Sequence, residues 1–357
     1  ACAASTGRPR LAAATGGECS GTTLPSSRSK GARLEGRTGM TRSASVGARR
    51  LARLLLAVIA LLPGCTNQPS KSDASGQWVS VTSGTSHPLA AIQFVDLQTG
   101  WVAGEEGTII HTEDGGKTWT PQNSQVAANL MGLAFVDRNH GWAVGDQVSV
   151  LATQDGGRTW TLPHQELENV LLGVSFANDR LGWAVGSFSH ILHTADGGAT
   201  WSQQDSRTTQ WFTAIQFVSP EEGWAVGMRG QIVHTLDGGR TWDQQAIFLS
   251  NLFGLHFVSR ERGWTVGQDG LIMTTADGGN TWAFQASGVP DELSSVRFLN
   301  EREGWIVGRK GTILHTRDGG GTWTKEPSGT NRNLWAVQFA NAQHGWAVGE
   351  GGTILRY

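Results

Sequence analysis

A pair of carboxylates held roughly 5 to 9.5 Å apart is the machinery of glycoside hydrolysis. The chain offers one candidate set in Glu105 and Glu106 with Asp146 and Glu350, acids that also suit a calcium ion. A second acidic series is more regular: Asp114, Asp155, Asp196, Asp237, Asp277 and Asp318 each open an Asp-Gly-Gly-x-Thr-Trp motif. A carboxylate at a hairpin tip accepts hydrogen bonds from successive backbone N–H groups, and two glycines there take positive φ. Six copies of one motif are a repeated structural turn, since they cannot all be one active site. Gly116-Lys117-Thr118 imitates the end of a phosphate-binding loop. The imitation fails because position 111 is His, and Arg158, Ala199, Arg240, Asn280 and Gly321 replace the lysine in the other copies. His111, His193, His234 and His315 hold equivalent positions in separate repeats, too far apart to share a metal, and read as hydrogen-bonding partners of a strand end. Neither a metal nor a cofactor is expected.

The spacing defines the elements that position these groups. Gly-Trp recurs at Trp101, Trp142, Trp183, Trp224, Trp264, Trp305 and Trp346, in steps of 40 or 41 residues. Trp78, Trp119, Trp160, Trp201, Trp242, Trp282 and Trp323 keep the same interval, as do Phe94, Phe135, Phe176, Phe217, Phe257, Phe298 and Phe339. Such a period lies in the range of propeller blades and helical arrays. Within the unit, Leu89 to Val95, Gly100 to Gly104, Thr108 to Thr112 and Thr118 to Pro121 read as strands divided by turn residues, and no stretch accommodates a three-turn helix without crossing a glycine. The expectation is an all-β fold: a seven-bladed propeller of four-stranded antiparallel blades over residues 76–357. The last copy stops after its third strand, and Gln77-Trp78 aligns with Thr118-Trp119. The N-terminal strand is therefore expected to pair with the last blade and close the ring, which also hides exposed edges.

On these residues the chain resembles known groups. The Asp-Gly-Gly-x-Thr-Trp hairpin is similar to the Asp-box, or bacterial neuraminidase repeat, of sialidases, some large glycoside hydrolases and sorting receptors. The fuller string of Gly-Trp-Ala-Val-Gly followed by Gly-Thr-Ile-Leu-His-Thr and the Asp-box, seen at Gly345 to Leu355 and Gly311 to Trp323, resembles the photosystem II stability and assembly factor family. That resemblance implies a non-enzymatic scaffold outside the cytoplasm, engaging a membrane-associated protein or assembly intermediate. Sialidases use a tyrosine nucleophile, and the single tyrosine here, Tyr357, ends a closing strand.

The first 75 residues differ in kind. Residues 1–39 are aperiodic and read as upstream translation or disorder, with Cys2 and Cys19 in an Ala, Gly, Ser and Arg background. Residues 40–65 read as a lipoprotein signal peptide: Arg42, Arg49, Arg50 and Arg53 precede a short apolar run from Leu54 to Leu62. Leu62-Pro63-Gly64-Cys65 resembles a lipoprotein cleavage box with Cys65 as the lipidated residue, and residues 66–75 form a flexible tether. Thr66 favours the outer over the inner membrane of a periplasm, or a thylakoid lumen if the source is photosynthetic. The segment 1–64 holds 10 of the 28 basic and 2 of the 30 acidic residues, which leaves a mature chain with 18 and 28, a formal net of −10. So acidic a propeller is a poor nucleic-acid binder. No cysteine follows Cys65, so stability is assigned to aromatic and aliphatic packing rather than disulfides.

Function is expected on the face whose loops vary, where the turns between second and third strands meet the blade-to-blade connections. There Glu105, Glu106, Asp146 and Glu350 form an acidic arc, while Arg229, Arg309 and Lys310 supply basic points. Arg207, Trp211, Phe248, Arg332 and Trp335 break the repeat nearby. Trp211 and Trp335 either add packing at the start of an inner strand or anchor a protein or peptide together with the arginines. The sequence reading is a lipid-anchored, monomeric binding scaffold, the alternative being a glycan-binding or glycan-cleaving Asp-box protein.

Overall fold

The computed structural model describes residues 76–146, 150–164, 170–246 and 248–357. The expected upstream segment, signal peptide, Cys65 and tether, together with the turn residue Gln147, lie outside the described residues.

Among the described residues, 28 strands form seven four-stranded antiparallel sheets. Strand β1 (Val79–Val81) belongs to the last sheet. The first blade follows as β2 (Leu89–Phe94), β3 (Gly100–Gly104), β4 (Ile109–Thr112) and β5 (Thr120–Gln122). Five more blades repeat it, with inner strands β6 (Leu130–Phe135), β10 (Leu171–Phe176), β14 (Phe212–Phe217), β18 (Leu252–Phe257) and β22 (Leu293–Phe298). The seventh contains β26 (Leu334–Asn341), β27 (His344–Gly349) and β28 (Thr353–Arg356), and β1 pairs antiparallel with β28, matching Val79 to Arg356 and Val81 to Ile354.

Burial follows strand order. In the first six blades the Gly-Trp strand is buried at every residue, and in the seventh from Gly345 onward, whereas outer strands such as β1 and β5 are mostly exposed. Each inner strand starts with a bulge, between Leu89 and Ala91 in the first blade, which sharpens the local twist. The glycine of Gly-Trp is forced by packing, because a Cβ on Gly100 would fall 2.6 Å from the Phe94 ring.

The two tryptophan series do different jobs. The Gly-Trp tryptophan crosses to the next blade and stacks on its phenylalanine: Trp101 on Phe135 at 3.7 Å, Trp224 on Phe257 at 3.7 Å, and Trp346 on Phe94 at 3.5 Å. The Asp-box tryptophan meets its own blade's phenylalanine edge-on, as Trp119 meets Phe94 at 5.9 Å. Both rings lie between blades: the Gly-Trp ring stacks on the following blade, and the Asp-box indole reaches back to the preceding one, as Trp160 Nε1 donates to Gln122 Oε1 at 3.2 Å. Sandwiching each phenylalanine between one stacked and one perpendicular indole uses both favourable aromatic geometries.

The Asp-boxes are the turns expected. Asp196 Oδ1 accepts the Thr200 N–H at 2.9 Å and the Thr194 hydroxyl at 2.7 Å, and Oδ2 accepts the Thr200 hydroxyl at 2.6 Å. Asp114, Asp155, Asp237, Asp277 and Asp318 repeat this set. The hairpin also receives the neighbouring blade, since Trp101 Nε1 donates to the Gly156 carbonyl and Trp346 Nε1 to that of Gly115, both at 3.0 Å. The exception is Trp305, whose Nε1 has no partner among the described residues. The next blade's outer strand is β1, which meets β28 by pairing and not through a hairpin.

Candidate partner-binding face

The turns between second and third strands are built alike. A short turn places its second residue in the left-handed region, with φ of 54° at Glu106, 55° at Arg229, 56° at Asp269, 53° at Lys310 and 61° at Gly351. Glycine follows in each of these, also at positive φ. The third blade departs twice: Phe188 (φ 53°) takes the second position, and Ser189 (φ 60°) replaces the glycine. Two adjacent non-glycine residues in this region store backbone strain. Phe188 is 64 % exposed despite that cost, and its ring lies 5.8 Å from that of Trp211, itself 39 % exposed.

Hydrogen bonds tie this pair to its surroundings. The Ser206 hydroxyl donates to the Ser189 carbonyl at 3.1 Å, and the Met228 N–H donates to the Trp211 carbonyl at 2.9 Å. The turns of the third and fourth blades and the connection carrying Arg207 and Trp211 therefore make one continuous surface. Arg207 is exposed with positive φ (54°), and its guanidinium is 3.8 Å from Asp243. The backbone N–H of Arg229 donates to Asn251 at 2.9 Å, which fixes the turn from which this exposed side chain projects. Phe248 packs edge-on against the exposed Phe284 at 5.6 Å.

The other candidates are committed to partners on an adjoining loop of the same blade. Arg309 pairs with Glu292 at 2.9 Å, Lys310 with Asp291 at 3.0 Å, and Arg332 donates to the Gly351 carbonyl at 2.7 Å. Trp335 is half-buried beside them in sequence at the head of β26. In the acidic arc, Asp146 accepts both the backbone and side-chain N–H groups of Asn129, at 2.7 and 2.8 Å. Glu350 accepts the Asn333 N–H at 3.2 Å, and Glu106 lies 3.4 Å from His87. Two of the four carboxylates thus act as backbone caps at equivalent turns.

No group of three or more potential metal ligands occurs among the described residues. The four histidines stack on or tilt against the cross-strand Gly-Trp rings, as His111 does on Trp101 at 4.8 Å and His315 on Trp305 at 4.3 Å. Two of them also pair with acids, His234 with Glu222 at 3.3 Å and His315 with Glu326 at 2.8 Å. On the opposite face a cleft of about 620 Å³ lies between the first two blades, and of its acids Asp155 is already held in its Asp-box, leaving Glu113.

A family model described as photosynthesis system II assembly factor YCF48 matches residues 70–130, 120–207, 201–251 and 245–331. The chain belongs to this family. Its fold is that of solved YCF48 structures: one described as YCF48 bound to a D1 peptide is 22 % identical with a TM-score of 0.69, covering 80 % of this chain and 96 % of that one. YCF48 from Cyanidioschyzon merolae is also 22 % identical, with a TM-score of 0.67 and 79 % and 98 % covered. A GH74 xyloglucanase from Xanthomonas campestris shares the architecture at 13 % identity and a TM-score of 0.63, over 78 % of this chain and 53 % of the enzyme. No curated protein matches the chain. Phe188 is the residue that sequence reasoning passed over on this YCF48-family propeller; its signal was an aromatic where the aligned turns carry Glu106, Arg229, Asp269, Lys310 and Gly351.

Proposed function

We propose that this YCF48-family chain is a non-enzymatic assembly scaffold that grips an extended segment of a membrane protein on the surface of Phe188, Trp211, Arg207 and Arg229. The observation that carries this reading is the strained, exposed Phe188 against Trp211, because strain without a packing return is retained at sites that bind. An aromatic pair flanked by arginines supplies the residue types that dominate protein-binding energy. On a chain of formal net −10 after residue 64, this local pair of cations favours a segment carrying apolar and acidic residues. A YCF48 structure with a D1 peptide bound supports the idea that the fold takes peptides. Arg309, Lys310, Arg332 and Trp335 extend the same face as a secondary contact.

We assign the scaffold to the outer side of a membrane, tethered as a monomer through lipid on Cys65, in the periplasm or, in a photosynthetic cell, the thylakoid lumen. Glycan cleavage is the weaker reading, since Asp146 and Glu350 already cap backbone and the 13 %-identical xyloglucanase shares the fold alone.

The test compares wild type with F188A/W211A in pull-downs from native membranes, alongside xyloglucan oligosaccharides assayed for binding and hydrolysis. One membrane protein recovered by wild type, and cross-linked near residue 188, supports the scaffold. Equal recovery by both proteins moves the site elsewhere, and oligosaccharide hydrolysis refutes the non-enzymatic reading. Labelling with a radioactive fatty acid, lost in C65A, tests the anchor.

A further inference from the structure

The seven inner strands enclose an axial channel of about 300 Å³. The residue before each wall phenylalanine lines it: Gln93, Ala134, Ser175, Gln216, His256, Arg297 and Gln338. Five of these clasp the neighbouring blade. Gln93 donates to the Phe135 carbonyl and accepts its N–H, Gln216 does the same with Phe257, and Gln338 with Phe94. Ser175 accepts the Phe217 N–H, and His256 Nδ1 accepts the Phe298 N–H at 3.3 Å.

Arg297 cannot make this clasp. A guanidinium has five donors and no acceptor, so it offers nothing to a backbone N–H. Its Nε has no partner among the described residues. The channel lining includes no Asp or Glu, and burial alone acts on its charge, lowering its pKa from the ordinary value. The side chain keeps some exposure only because it opens on the channel. His256 beside it is held well below the usual histidine range by burial and next by the Arg297 charge, and so is neutral. With Nδ1 accepting from Phe298, the neutral ring carries its hydrogen on Nε2 and is a second donor. An enclosed cation with a neighbouring donor and no carboxylate calls for a counter-ion, because an unpaired charge in protein is costly.

We propose that the axial channel is an anion site in which Arg297, aided by the Nε2–H of His256, holds a small inorganic anion of halide size. It is independent of the partner-binding face, since Arg297 lies on the inner wall, whereas Phe188 and Trp211 are at the exposed turns.

The experiment uses bromide as the probe. Melting temperature is followed from 1 to 300 mM bromide with gluconate balancing ionic strength, in wild type, R297Q and R297K, and crystals grown with bromide are measured at its absorption edge. Gln is the residue at this position in three other blades and can clasp Phe339, so R297Q is expected to fold. The proposal expects a rise of roughly 2 to 4 °C for wild type, a similar rise for R297K, no bromide-specific rise for R297Q, and an anomalous peak at hydrogen-bond distance from Arg297. A channel holding water only, or equal bromide responses in wild type and R297Q, overturns it.

Discussion

Trp224 and Trp305 form a matched pair from which the structure isolates one hydrogen bond. Both are fully buried. Trp224 stacks on Phe257 at 3.7 Å and His234 at 4.5 Å, and Trp305 on Phe339 at 3.6 Å and His315 at 4.3 Å. They differ chiefly in the indole N–H, since Trp224 donates to the Gly278 carbonyl at 2.9 Å while Trp305 has no acceptor among the described residues and meets Tyr357 edge-on at 6.1 Å. Trp→Phe removes a similar piece of stacked ring from each, a loss of about 1 to 2 kcal/mol, below the cost of truncating a buried aromatic to Ala. At Trp224 it also strips a carbonyl of its donor, adding about 1 to 3 kcal/mol. At Trp305 it removes a donor that was already unsatisfied, which offsets part of the ring loss. W224F should therefore be less stable than W305F by about 2 kcal/mol, read from urea midpoints with unchanged m-values. Equal destabilisation, or W305F as the weaker protein, would refute the claim that Asp-box glycine carbonyls latch successive blades.

Three further outcomes follow from the same geometry. In Asp196 the Thr200 hydroxyl and N–H and the Thr194 hydroxyl hold the carboxyl down to about 2 from an ordinary 3.8, so its contribution is fully present above pH 3.8 and is lost as pH falls through about 2. Asp114 and Asp318 are also held near 2, and melting curves should lose stability steeply over that window, less so in a D196N variant. Deleting residues 353–357 removes β28, the strand between β27 and β1, and should abolish the cooperative transition; an unchanged melt would sink the closure model. S189G should raise stability by about 0.5 to 1 kcal/mol by relieving left-handed strain, and a loss of stability in thermal melts would show that the turn is not strained there.

The fold was legible because its information is periodic. Seven aligned Gly-Trp pairs specify the same inter-blade stack seven times, and the missing last strand was visible as an alignment between Gln77-Trp78 and Thr118-Trp119. The division of labour between the two tryptophan series was not legible. Both series keep one interval, and which ring stacks on a phenylalanine and which meets it edge-on depends on the angle between sheets, to which spacing is blind. The caps made by Asp146 and Glu350 were hidden for a similar reason: their partners Asn129 and Asn333 lie 17 residues away on a connection that folds back over the turn.

The candidate site lay where the periodic information fails, and departures from a repeat are of two kinds. Arg309, Lys310 and Arg332 stand out by charge, yet Arg309 and Lys310 meet acids and Arg332 a backbone carbonyl on an adjoining loop of the same blade, so the departure is compensated locally. Phe188 is not compensated. Its turn demands a left-handed residue, the other described copies meet that demand with Gly351 or with the polar Glu106, Arg229, Asp269 and Lys310, and Phe188 gains one exposed ring contact in return. Arg297 is uncompensated in the same sense, a cation at a position where Gln338 satisfies both a donor and an acceptor of the next blade. Each of these residues breaks the repeat and finds no balance among the described residues, and it is there that we propose one from outside: a partner segment at the turn of the third blade, and an anion in the channel.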